Sequence, residues 1–67
     1  MIYIALIKSK EVNHPSKLIV RDNEQEMKDY LLSIPAVYVV ETFAVFDAEA
    51  KLTKYYNLRD LVEFLKD

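Results

Sequence analysis

The sequence predicts an α+β domain of order ββαββα, a four-stranded antiparallel sheet with two helices on one face. Three observations predict it. Two long β-prone runs (2–8 and 36–46) alternate with two short, charge-broken ones (17–21 and 51–56). Two segments that start at Asn23 and Asn57 carry apolar residues at helical spacing. A shift of 34 residues superposes the halves: Lys17-Leu18 falls on Lys51-Leu52, Asn23 on Asn57, Met27 on Leu61, Tyr30 on Phe64 and Leu31 on Leu65. That is a pseudo-repeat of two ββα units, reached by duplication or by convergence of two similar units.

Residues 2–8 are rich in β-branched and aromatic side chains and too short for a helix. Ile2, Ile4 and Leu6 fall on one face, Tyr3, Ala5 and Ile7 on the other. Apolarity on both faces predicts a central strand. Residues 9–16 are a polar loop containing Asn13, Pro15 and Ser16. Lys17 to Arg21 suits an edge strand, because flanking charge discourages edge-to-edge pairing.

Asn23 is a good N-cap, with Glu26 three positions on. Met27, Tyr30, Leu31 and Ile34 form the expected buried stripe, and Pro35 ends the helix by disfavouring helical geometry at Ile34. Residues 36–46 form the second central strand. Asp47 to Ala50 make a turn that lacks Gly, which argues for a loop longer than two residues. Residues 51–56 form the second edge strand, interrupted by Lys51 and Lys54. Asn57 caps the last helix, with Asp60 completing the capping pair and Tyr56 and Leu61 placed as a hydrophobic staple. Its expected buried stripe is Leu58, Leu61, Val62 and Leu65.

Residues 1–67 make one small domain, of a size that buries only about 60% of its unfolded surface. There is no Cys, so no disulfide assists, and a reducing, cytoplasmic setting is expected. His14 is the single His, so no zinc site is expected. A divalent cation needs carboxylates converging from several elements, whereas the acids here lie in stripes on convex helices. With no Gly there is no phosphate-cradling loop, and no cofactor is expected. His14 and Ser16 share a loop with no third group to orient a base, so no catalytic residue is assigned and no enzyme is expected. No segment is apolar for the ~18 residues of a membrane span.

Hydrophobic residues make up 52% of the chain, more than so small an interior hides, which points to a contact surface. The expected partner is another protein, or a second copy in a homodimer. The expected role is a non-enzymatic interaction module of inhibitor or adaptor kind. Its contact surface is the uncovered sheet face or an edge strand, with Tyr3, Tyr38, Val40, Phe43 and Phe46 as the binding residues. Two rows are candidates for that face: Tyr3, Ala5, Ile7, Val37, Val39 and Phe43, or Ile4, Leu6, Tyr38, Val40 and Phe46.

The alternative is a role tied to nucleic acid. Asp22, Glu26 and Asp29, and Asp60, Glu63 and Asp67, repeat with helical spacing, so acidic helix faces centred on Glu26, Asp29, Asp60 and Glu63 could imitate a phosphate backbone. Lys28, Arg59 and Lys66 dilute these stripes, and acids near helix N-termini are also favoured by the macrodipole. Sheet aromatics could stack on bases. A net charge of −2, from 9 basic and 11 acidic residues, disfavours direct nucleic-acid binding. In size, and in lacking Gly and Cys, the chain is similar to accessory proteins of phages and mobile elements.

Overall fold

The computed structural model describes residues 1–66. The elements are β1 (Ile2–Ser9), β2 (Lys17–Arg21), α1 (Glu24–Ser33), β3 (Tyr38–Phe46), β4 (Leu52–Tyr56) and α2 (Leu58–Lys66). All neighbouring strands are antiparallel, in the order β2-β1-β3-β4. The ββαββα reading therefore holds, with the two-faced strands in the middle and the charge-broken ones outermost. The two ββα units meet through their first strands, so the pseudo-repeat has a counterpart in the topology.

Both helix starts follow from their asparagines. The Asn23 side chain accepts from the Glu26 N–H at 3.0 Å, and that of Asn57 from the Asp60 N–H at 2.8 Å. Asp60 reciprocates by accepting from the Asn57 N–H at 3.5 Å, a longer second arm of the capping box. The β3–β4 turn, without Gly, places Ala50 at φ 64°, a region costly for a residue with a Cβ. Asp47 secures the turn by accepting from the Glu49 and Lys51 N–H groups, each at 2.9 Å.

The helices cover one sheet face. Ala5, Ile7, Ile19 and Phe43 on the strands pack with Met27, Leu31, Leu61 and Phe64 on the helices. Four rings form its centre. Phe43 lies 4.6 Å from Tyr56 and 5.0 Å from Phe64 between centroids, and Phe64 lies 6.1 Å from Tyr3.

Three sequence expectations need correction. In α2, Leu61 and Phe64 are buried and Leu65 is half-buried, whereas Leu58 and Val62 are exposed. The large Phe64 ring gains more from the core than Leu58 or Val62 could, so the helix turns Phe64 inward. In α1, Lys28 is buried rather than lying on an outward charged stripe. Its ammonium sits 5.2 Å from the centre of the Phe64 ring, so the side chain reaches from α1 to α2. Third, β3 is central for only part of its length. Its pairing with β4 begins at Phe43, so residues 38–42 have β1 as their one strand neighbour.

Candidate functional site

The sheet face away from the helices can be reconstructed from the register. Residues directly opposite in an antiparallel pair share a face. One row across the sheet is Val20, Ile4, Ala44 and Tyr55; the next is Leu18, Leu6 and Thr42; a third is Ile2, Phe46 and Leu52. Val39 extends it on β3. Thr42 is the polar interruption in the middle, and Lys8 lies at one end. Leu18 is 64% exposed, Tyr55 61% and Leu52 56%, so the outer strands present their apolar side chains to solvent. Ala44 is buried even on this open side, because Ile4 and Tyr55 flank its small side chain.

This row is neither of the two expected. A bulge in β3 is the reason. Ile7 pairs with Val40 and Leu6 with Thr42, leaving Glu41 as the extra residue. An extra residue reverses the in–out phase of everything beyond it. Tyr38 and Val40 thus share the helix side with Phe43, while Val39 shares the open side with Ala44 and Phe46. A second bulge, at Thr53 of β4, brings Leu52 onto the open side opposite Phe46.

The five expected contact residues separate accordingly. Phe43 is 1% exposed and belongs to the core. Tyr3, Tyr38 and Val40 are half-buried on the helix side, packed against that core. Phe46 alone of the five lies on the open face. The residues that period-two reading missed are Leu18, Val20, Leu52 and Tyr55 on the outer strands. Their signal was present in the sequence: apolar side chains on charge-flanked strands, with no second layer left to cover them.

Apart from Lys8, the strand cations stay off the open face. Lys17 lies 5.1 Å from the Tyr38 ring, Arg21 5.2 Å from Tyr30 and Lys54 4.7 Å from Tyr56, all on the helix side or its rim. The outer edges of β2 and β4 are therefore bordered by cations, an arrangement that discourages further strand pairing. Aromatic residues follow the same division. Tyr3, Tyr30, Tyr38, Phe43, Tyr56 and Phe64 sit in or against the core, leaving Phe46 and Tyr55 as the rings on the open side.

Of the acidic residues, Glu26, Asp29 and Glu63 are exposed. Asp29 accepts from the Gln25 amide at 2.9 Å, and Asp60 is half-buried in the capping box. Asp67 lies outside the described residues. Two tyrosines are electrostatically distinct. Burial, and then the Glu24 carboxylate, push the Tyr3 hydroxyl above its ordinary pKa. Burial does the same to Tyr56, with Tyr3, Glu24 and Asp60 adding to it. His14 pairs with Glu11 at 3.0 Å and stands edge-on to Tyr38.

Among the described residues no cluster of three or more His, Cys, Asp or Glu is arranged to hold a metal ion, and no helix is long and apolar enough to cross a membrane. A cleft of about 240 Å³ opens where β4 ends, between β3 and the first turn of α2. Compared with known protein families, curated proteins and solved structures, the chain matches none.

Proposed function

We propose that this chain is a non-enzymatic interaction module, of adaptor or inhibitor kind, whose open sheet face packs on a larger protein. The observation that carries the proposal is the lack of alternation on that face. A solvated sheet face alternates to polar residues, whereas here three successive cross-strand rows are apolar apart from Thr42.

Area favours a larger partner over a stable pair of identical chains. Four strands about 4.8 Å apart and about five residues long give a footprint on the order of 300–400 Å². That lies at the lower end of the ~300–600 Å² of the largest patch on a typical monomer, a patch that is often functional. Two such faces together would bury roughly 600–800 Å², below the ~1,200 Å² of a stable standard interface. A lasting complex needs a partner that also reaches over the rim at Leu52 and Tyr55.

The test joins solution mass to hydrophobic-dye binding. Light scattering over rising concentration should show a monomer with weak, concentration-dependent association. The monomer should bind dye, and Leu18→Lys with Leu52→Lys should reduce that binding while Leu32→Lys on α1 leaves it unchanged. Absence of dye binding, or equal loss from the α1 control, refutes the proposal.

A further inference from the structure

We propose that the unpaired half of β3 is a strand-addition site for an extended segment of another protein, with an apolar side chain entering the adjacent cleft and a basic residue meeting Glu41. This surface is distinct from the open face and does not depend on it.

The main chain supplies the first argument. The Lys10 N–H donates to the Val37 carbonyl at 2.7 Å. In an antiparallel ladder, successive residues direct their main-chain groups to opposite sides. Val37 and Val39 therefore face β1, and Tyr38 and Val40 turn outward. The Tyr38 N–H is engaged by the Pro35 carbonyl at 3.0 Å. The Tyr38 carbonyl and both main-chain groups of Val40 are left on the side where β4 would continue. It does not continue because Asn57 leaves the sheet to cap α2. Those groups have the spacing that a docking strand requires.

The cleft supplies the second. Val40, Phe43, Tyr56, Leu58 and Leu61 form its apolar walls, and Leu58 is 77% exposed. At about 240 Å³ it is smaller than the ~300–1,000 Å³ of small-molecule pockets. It suits a side chain delivered by a strand.

Charge supplies the third. Glu41 is the one charged residue among those lining the cleft. The positive end of α2 is already answered by Asn57 and Asp60, so the site has no free anion-binding end. The edges of β2 and β4 are bordered by Lys17, Arg21 and Lys54, while this half of β3 carries an acid and two valines. Within residues 38–42 Glu41 is the one charged side chain; Lys17 and Lys54 lie against the neighbouring Tyr38 and Tyr56 rings, and Glu41 selects a basic residue in the partner segment.

The test is selection of random linear peptides against the full chain, followed by titration of the enriched peptides. Enriched sequences should combine an apolar residue with Lys or Arg, and should shift the amide resonances of Val40 and Glu41. Val40→Pro removes the outward N–H and spares the ladder to β1; one lost hydrogen bond should weaken binding roughly three- to tenfold. Glu41→Lys, at an exposed position, should turn the selected charge from basic to acidic, and it keeps the proposal testable even where the proline disturbs folding. No enrichment over an unrelated domain overturns the proposal. So does peptide binding that is indifferent to Glu41→Lys, or that is lost with Leu18→Lys on the open face instead.

Discussion

Replacing Phe64 by Ala tests the packing of α2 most directly, because Phe64 holds the core position that helical spacing alone assigns to Leu58 and Val62. Phe64 is 8% exposed and meets three rings, Phe43 at 5.0 Å, Tyr56 at 5.8 Å and Tyr3 at 6.1 Å. Truncating a buried Phe costs about 3–5 kcal/mol, combining lost transfer energy with the cavity left behind. The whole domain, at roughly 0.05–0.15 kcal/mol per residue, is stable by only about 3–10 kcal/mol. Phe64→Ala should therefore remove a third or more of the stability and in the lower range leave the chain mostly unfolded. Leu58→Ala removes a side chain of similar hydrophobicity from a site that is 77% exposed, and should stay within about 0.5 kcal/mol. Urea titrations followed by circular dichroism compare the two. With a slope near 1 kcal/mol per molar for so small a chain, the Phe64 variant should lose about 3–5 M in midpoint or have no folded baseline. A Phe64 loss below about 1 kcal/mol, or a Leu58 loss larger than it, would mean that α2 is rotated relative to the packing described above.

Two further predictions concern the turn and the tyrosines. Ala50→Gly should stabilise the fold by about 0.5–1 kcal/mol, since φ 64° penalises a Cβ and suits glycine; an unchanged or lowered thermal midpoint refutes the assigned turn. Tyr3 and Tyr56 keep their protons more firmly folded than unfolded, chiefly through burial. Their contribution is complete below the ordinary tyrosine value of 10.0 and declines as pH rises through the raised folded values, because the unfolded chain there binds fewer protons. Urea midpoints measured from about pH 9 to about pH 11 should fall at the upper end. The fall should be shallower with Phe at both positions; an identical profile refutes the assignment.

The legible features were those with local causes. Asn23 and Asn57 announce helix starts because their side chains satisfy N–H groups three residues on, and both hydrogen bonds are formed. Charge at Lys17, Arg21 and Lys54 marks β2 and β4 as outer strands, and two-faced apolarity marks β1 as central. The surplus of apolar residues indicates that some surface stays uncovered, and Leu18, Leu52 and Tyr55 display it.

What the sequence by itself determined was the order of elements, their caps and the existence of an apolar surplus. These depend on neighbours within a few positions, or on composition. Only tertiary structure decided which side chains form the surplus face. Period-two counting assumes unbroken strands, and the bulges at Glu41 and Thr53 reverse that count without any Gly or Pro to announce them. Tertiary structure also turned α2 to admit Phe64 and brought Lys28 between the helices, because the competition for core volume involves residues distant in the chain. It ended β4 at Tyr56 and so left part of β3 as an edge, because that depends on where α2 must leave the sheet.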